Sequence, residues 1–323
     1  MNTAIAIILI GRNEGERLKR ALASTVGMVD RIVYVDSGST DGSVEFAHSQ
    51  GVQVVELDMP IPFTAARARN AGVDALREAG LPEFLQFIDG DCALVPEWLS
   101  IALPSMRTDA KLGILTGWRR EIHPDASIYN VMCDHEWDRP AGPIVACGGD
   151  MLVRSEAFEA VGGFNGQVIA AEDDEFCLRV RMAGYKLLRI PREMTLHDAD
   201  MHHFSQWWQR SVRNGHGFAQ LGALHGSHLS RERARVYVFG LMLPAVALAG
   251  LVTNLWVLAG VLALYAGSYA SALRGLLRDG VATGVALRFA GFLTLAKIPN
   301  LFGMATFALR RLRGRSMRII EYK

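Results

Sequence analysis

Short apolar runs at Ala4 to Ile10, Arg31 to Val35 (RIVYV), Val52 to Leu57 (VQVVEL) and Phe84 to Ile88 (FLQFI) alternate with helix-like stretches at Glu14 to Ala23, Ser43 to Gln50 and Ala65 to Ala79. Runs of this length, rich in β-branched and aromatic residues and separated by helical periods, predict βαβ units around a mostly parallel sheet, an α/β fold. Polar residues follow three of the runs: Arg12-Asn13-Glu14, Asp36-Ser37-Gly38-Ser39-Thr40-Asp41 and Asp89-Gly90-Asp91. Open parallel sheets bind ligands beyond the carboxyl ends of their strands. Turn chemistry accounts for any one such cluster, whereas three at one edge predict a site.

The pattern changes after Arg235. No charged residue occurs from Val236 to Leu273, nearly twice the roughly 20 residues that one helix needs to cross a bilayer. Thr253-Asn254 divides the stretch into two predicted transmembrane helices, Val236 to Val252 and Leu255 to Leu273. Residues 285 to 309 are apolar but interrupted by Arg288, Lys297 and Pro299. They are expected to form interfacial or re-entrant helices, because a third crossing would carry the basic cluster Arg310-Arg311-Leu312-Arg313-Gly314-Arg315 to the outer side. The basic flanks of the hairpin (Arg231, Arg233, Arg235; Arg274, Arg278) place both its ends on the cytoplasmic side of the cytoplasmic membrane. The preceding residues then face the cytoplasm. The expected organisation is a catalytic domain over 1–230 and a membrane domain over 231–323, ending in a basic tail.

Composition agrees with this mixed character. A mean hydropathy of +0.17 with 21% charged residues is too apolar for an ordinary soluble enzyme and too charged for a fully embedded one. Disorder, collagen and coiled coil are excluded. The formal net charge of +1 conceals an asymmetry: ten of the 34 basic but only two of the 33 acidic side chains follow Arg235, leaving 24 and 31 before it. A basic, apolar tail beside an acidic globular part argues against a nucleic-acid binder and for an anionic membrane surface. Cys92, Cys133, Cys147 and Cys177 lack CxxC or zinc spacing and are expected to be reduced core thiols of a cytosolic domain. The N-terminal run is too short for a signal h-region and lacks a basic n-region.

Two acidic motifs suggest chemistry. Asp89-Gly90-Asp91 closes an apolar strand, and two carboxylates on such a turn can hold a hard divalent cation that bridges phosphate oxygens. A departing diphosphate needs that compensation. Further on, Glu172-Asp173-Asp174-Glu175 opens an amphipathic stretch. Four acids there complement a helix dipole, or supply a general base that deprotonates an attacking hydroxyl.

In order along the chain, RNEGERL, VDSGSTDGS, FTAARARNAGV, FIDGD, CGGDMLVRSEAFEAVGGF and AEDDEFCLRVRMAGYKL resemble the motifs of the family 2 inverting glycosyltransferases of the GT-A fold. The resemblance covers roughly residues 4 to 190, and the apolar tail is similar to that of members acting on lipid-linked or membrane-associated acceptors. It implies a GT-A (Rossmann-like) sheet, a nucleotide-diphosphate sugar donor, Mg or Mn, and a lipid-linked or glycan acceptor. By the same resemblance Asn13, Glu14 and Asp36 line the donor pocket and Arg69 and Asn70 support it. Asp89 and Asp91 meet the ribose, the diphosphate and the metal, and His197 completes the metal shell. Gly148, Gly149 and Asp150, with Glu172, belong to the acceptor side, and Asp173 is the base.

Ser37 stands where many members carry a second acid implicated in reading the nucleobase, which leaves the donor open. Arg210 and Arg213 lie where processive members carry a QxxRW element, but the RW order is absent. The stretch Trp118 to Pro143, rich in polar and aromatic residues, contains no legible motif and is expected to hold the determinants of specificity. A sugar nucleotidyltransferase would show a Gly-rich basic loop after the first strand, and a dinucleotide oxidoreductase GxGxxG. A nucleotide-sugar-binding protein without catalysis would keep the pocket and lose the base.

Overall fold

The computed structural model of the protein describes residues 2–321, which divide into two compact units. The first comprises the described residues up to Pro124 together with Cys133–Asp200; the second comprises Asp125–Met132 and the described residues from Met201 on.

The first unit is built on one sheet whose strands, among the described residues, are β1 (Asn2–Gly11), β2 (Val29–Asp36), β3 (Gln53–Glu56), β4 (Phe84–Asp89), β5 (Cys92–Leu94), β6 (Leu112–Glu121), β7 (Gly142–Pro143), β8 (Met151–Arg154) and β9 (Lys186–His197). Their order is β3-β2-β1-β4-β8-β6-β9-β5, with β7 on β9. The half β3-β2-β1-β4 is parallel throughout, as the alternating pattern predicts. Beyond β4 the short β8 runs antiparallel between β4 and β6, and β6 pairs parallel with β9. The helices α1 (Glu16–Ala23), α2 (Ser43–Ser49), α3 (Ala65–Arg77), α4 (Trp98–Thr108), α5 (Ile128–Trp137), α6 (Ser155–Ala160) and α7 (Glu172–Met182) follow in chain order.

β1 reads as a continuous apolar run because both its faces are covered. Ile5, Ile7 and Leu9 point to one layer, with Leu18 and Leu22 of α1 and Trp98 and Met106 of α4. Ala6, Ile8 and Ile10 point to the other, with Val73 and Leu76 of α3, Phe158 of α6 and Phe176 of α7. Truncating one such side chain to Ala typically costs about 2–5 kcal/mol. α3 starts where the Thr64 hydroxyl accepts the Arg67 N–H at 3.0 Å, an N-cap. It lies close to the sheet through Gly72, where a Cβ would come within 2.4 Å of Ile8 Cγ2. That close seating sets the depth of Arg69, three residues earlier on the same helix.

The second unit contains α8 (Phe204–His225), α9 (Ser230–Tyr237), α10 (Leu243–Thr253), α11 (Leu255–Arg278), α12 (Thr283–Leu295) and α13 (Lys297–Leu312). A π-helical turn at Val238–Met242 joins α9 to α10 just before Pro244, whose missing N–H and ring disfavour an unbroken α-helical ladder. Asn254 ends α10 and caps α11, accepting the Trp256 N–H at 2.9 Å, so the predicted break at Thr253-Asn254 is a helix hairpin. Among the described residues, three helical stretches are long and apolar enough to cross a membrane: Ser230–Thr253, Leu255–Arg278 and Thr283–Leu312. The last is two helices meeting at Ala296. α13 packs on α8 backbone to backbone: a Cβ on Gly303 would lie 1.9 Å from the Val212 carbonyl oxygen, and one on Gly215 2.0 Å from that of Asn300. In the hairpin, Leu248, Val252 and Trp256 are exposed, a surface suited to lipid rather than water.

Candidate active site

The carboxyl ends of β1, β2 and β4 bring the three polar clusters of the sequence to one edge of the sheet. Asn13 holds a positive φ of 54°; its N–H donates to Ser39 Oγ at 2.8 Å and its side-chain oxygen accepts the Thr40 N–H at 2.8 Å. The first loop is thereby tied to the second. Asp36 is buried, and its carboxylate receives the Tyr34 hydroxyl at 2.9 Å and the Gly38 and Ser39 N–H groups at 2.8 Å. It therefore shapes this loop from beneath. Burial first, and the Asp36 charge second, push the Tyr34 phenol up, which keeps it a donor. Glu14 pairs with Arg17 at 2.9 Å. Its Cγ lies 3.2 Å from where Gly90 would carry a Cβ, a point also 3.0 Å from the Ile10 carbonyl oxygen. Gly90 lets the Asp89-Gly90-Asp91 turn lie close against β1, where a side chain would crowd both atoms.

Below that turn runs a chain of alternating charges. Arg69, 2% exposed, donates through Nη1 to Glu172 Oε1 at 2.8 Å and through Nη2 to Asp89 Oδ1 at 2.7 Å. Asp89 Oδ2 lies 3.2 Å from Arg119 Nη2, which also meets Asp150 Oδ2 at 2.8 Å. Asp150 is itself buried, receiving the Asp89 N–H at 2.9 Å and the Thr195 hydroxyl at 2.7 Å. Burial opposes ionisation of Asp89, but Arg69 and Arg119 outweigh it and hold its carboxyl below the usual carboxylate range. Asn70 faces the other way, its amide exchanging two hydrogen bonds with the backbone of Phe164 at 2.7 and 2.9 Å.

α7 begins at Ala171, in the left-handed region (φ 59°), and presents its acidic first turn to this chain. The four acids separate by environment. Glu172 takes Arg69, and Glu175 takes Arg179 at 2.7 Å one turn on. Asp173 accepts the Asp174 N–H through Oδ1 at 2.8 Å, while Oδ2 lies 3.9 Å from the position of a Cβ on Gly148. Arg119 Nη2 is 3.7 Å from the same point. The exposed Gly148 thus opens a space flanked by a carboxylate and a guanidinium. Gly149 is different: a Cβ there would come within 2.0 Å of Arg69 Nη2, so its missing side chain makes room for the arginine. Burial, with the neighbouring Glu172 charge, raises the Asp173 carboxyl to about 7, against the opposing pull of Arg69. A carboxyl so placed exchanges protons near neutral pH.

Asp91 and His197 meet on the opposite side of the turn. The short β5 pairs with the end of β9, Cys92 opposite His197, which places His197 Nε2 3.3 Å from Asp91 Oδ2. Ligand atoms of Asp91, Cys92 and His197 lie within 4.8 Å of one another, as do those of Asp89, Cys92 and Asp150. Burial raises the Cys92 thiol well above its ordinary value. A carboxylate beside an imidazole fits a divalent cation.

The residues expected at the site converge: Asp89, Asp91, Gly148, Gly149, Asp150, Glu172, Asp173, His197 and Arg69 share one end of the sheet, with Asn13, Glu14 and Asp36 in the adjoining loops. Arg119, Glu121 and Trp137 were not singled out in the sequence. Arg119 and Glu121 are alternate residues of β6, and the Arg119 guanidinium lies 5.3 Å from the centroid of Trp137. The detectable signal was a strand closing in three consecutive charged residues, Arg119-Arg120-Glu121, inside the stretch that held no motif.

Residues 6–151 match the Glycosyl transferase family 2 domain. Glycosyltransferase AglE of Haloferax volcanii is 24% identical over 240 residues, 70% of this chain and 77% of its own length. Among solved structures, mannosyltransferase PcManGT from Pyrobaculum calidifontis, in complex with GDP-Man and Mn2+, superposes with a TM-score of 0.60 at 19% identity, over 98% of this chain and 89% of its own. Glucosyl-3-phosphoglycerate synthase from Mycobacterium tuberculosis, in complex with Mn2+, UDP and phosphoglyceric acid, gives 0.51 at 16% identity, over 70% and 79%. The family match runs from β1 to the turn at Asp150, taking in the strand ends that supply Asp36, Asp89 and Asp91, so residues 6–151 form a glycosyl transferase family 2 domain within a GT-A fold.

Proposed function

We propose that this chain transfers a sugar from a nucleotide-diphosphate sugar to a hydroxyl of a membrane-associated acceptor, lipid-linked or glycan, with inversion at the anomeric carbon. The observation that carries this reading is the setting of Asp173: a carboxylate poised near neutrality, on a helix start braced by the Glu172–Arg69–Asp89 pairs, facing the open space at Gly148. An acceptor hydroxyl in that space gives its proton to Asp173 as its oxygen bonds to the anomeric carbon. The bond from that carbon to the diphosphate breaks on the opposite face, and the nucleoside diphosphate leaves. Asp89 meets the donor at the sheet edge, while Asn13, Glu14 and Asp36 form the loops around the nucleoside. Asp91 and His197 would hold the divalent cation, Mn more readily than Mg because imidazole is a poor ligand for Mg. When bound, the cation neutralises charge on the leaving diphosphate.

Asp150, Glu172 and Gly149 serve the acceptor side by holding Asp89 and Arg69 in place, leaving Gly148 as the point of approach. The helix hairpin anchors the catalytic part, and its basic flanks favour a cytoplasmic orientation. The test is donor consumption and transfer by detergent-purified protein, screened with UDP-, GDP- and dTDP-sugars and with Mn or Mg, for wild type, Asp91→Ala and Asp173→Asn. Cation-dependent consumption of one donor, lost in both variants, is expected. Binding without turnover in wild type would instead identify a non-catalytic nucleotide-sugar-binding protein.

A further inference from the structure

Glu121 closes β6 directly beside His197 of β9, the two being register partners, and it is buried at 6% exposure. Its Oε1 accepts the His123 N–H at 3.1 Å and its Oε2 the Ala199 N–H at 2.9 Å. Both oxygens are therefore fixed as acceptors. Oε2 also lies 3.4 Å from His197 Nδ1, and an oxygen already accepting a backbone N–H meets a neutral ring nitrogen favourably only where that nitrogen carries the proton. The lone pair is then on Nε2, which faces Asp91 Oδ2 at 3.3 Å. Trp137 closes the ring from the side, edge to face at 4.4 Å between centroids. A lone pair and a carboxylate facing each other at that distance repel unless an electrophile lies between them.

We infer that Glu121 is a positioning residue for the cation site: by accepting the Nδ1 proton it fixes the His197 tautomer and ring plane, so that Nε2 joins Asp91 as a ligand for a divalent cation. The inference rests on the proposed assignment of Asp91 and His197 to that cation. Outer carboxylates of this kind orient a ligating imidazole and raise its basicity, and losing one typically lowers metal affinity about 10- to 100-fold. Gln at 121 keeps the size but has only one acceptor oxygen for two backbone N–H groups and the ring.

The test uses the full chain in detergent without donor. Mn2+ binding is titrated by the electron paramagnetic resonance of free Mn2+ for wild type, Glu121→Gln and His197→Gln. The ring tautomer is read in metal-free, 15N-histidine-labelled wild type from long-range ring couplings, the His197 signal being identified by its loss in His197→Gln. The expected result is an Nδ1–H ring in wild type and Mn2+ affinity about 10- to 100-fold lower in Glu121→Gln. Wild-type affinity in a folded Glu121→Gln overturns the role of Glu121 while leaving the cation site intact. An Nε2–H ring, or an imidazolium bridging Glu121 and Asp91, overturns it even if the variant fails to fold. Equal Mn2+ binding by wild type and His197→Gln would instead remove His197 from the cation site, and with it the premise.

Discussion

Arg69 and Asp89 meet at 2.7 Å under the carboxyl edge of the sheet, one fully buried on α3 and the other closing β4. The second arm of the same guanidinium reaches Glu172, the residue before the proposed base. One planar, permanently charged fork thus sets the spacing between the donor edge of the site and the start of α7, a task for which a lysine's single ammonium is poorly shaped.

Replacing Arg69 with Met should therefore cost more stability than a neutral core change. It leaves the buried Glu172 carboxylate without its counter-charge and Asp89 with Arg119 alone, and breaking a buried pair from one side costs about 3–5 kcal/mol. Denaturant unfolding of detergent-purified protein should show a midpoint well below wild type. Arg69→Lys should fall between the two, because it can pair with one carboxylate but not bridge both.

Asp173→Asn should lose about 10²- to 10⁴-fold in transfer rate with donor binding retained. The side chain is nearly isosteric, and its Oδ1 can still accept the Asp174 N–H. Single-turnover transfer measured beside donor titration separates the two effects; unchanged turnover would remove Asp173 from the mechanism.

The raised Asp173 carboxyl gives two pH dependences of known sign. Transfer should rise through about pH 7 as the base ionises, and the step should be absent from the residual rate of Asp173→Asn. For stability, the unfolded chain releases this proton near pH 4 and the folded one near 7, so between those values the native state binds more protons. This group's contribution is complete below about pH 4 and is lost as pH rises through 7. Thermal unfolding of wild type and Asp173→Asn should diverge across that window in favour of the variant.

Adjacent glycines at the acceptor side should respond oppositely to alanine. At Gly149 the added methyl would lie 2.0 Å from Arg69 Nη2, and overpacking of this kind costs about 1–3 kcal/mol. At Gly148 the nearest atoms are 3.7 Å away, so the fold should be unaffected while transfer falls, because the methyl occupies the space facing Asp173. Melting temperature and transfer rate measured on both variants separate the two roles; wild-type transfer by Gly148→Ala would place the acceptor elsewhere.

The local pattern was sufficient for the elements that arise from local causes. β1, β2 and β4 are legible as apolar runs because they are covered on both faces, whereas β3 is a half-exposed strand at the edge of the sheet. The break at Thr253-Asn254 was visible because a capping residue inside an apolar run has little other use. The polar clusters at strand ends meet at one edge because parallel strands bring their carboxyl ends together.

What the pattern did not contain was the partnership of residues far apart in the chain. Asp36 was expected to line the donor pocket, yet it is buried at the end of β2, where Tyr34 and two backbone N–H groups satisfy it from inside. Arg119 and Glu121 lie in a stretch without any motif, and their chemistry depends on the strand order β8-β6-β9-β5, which sets β6 between Asp150 and His197. The sequence by itself determined which residues form strands, helices and apolar spans, because burial and periodicity act over a few neighbouring positions. Only the tertiary structure decided which charges meet, because a buried carboxylate or guanidinium is defined by its partner, and sheet order selects that partner from across the chain.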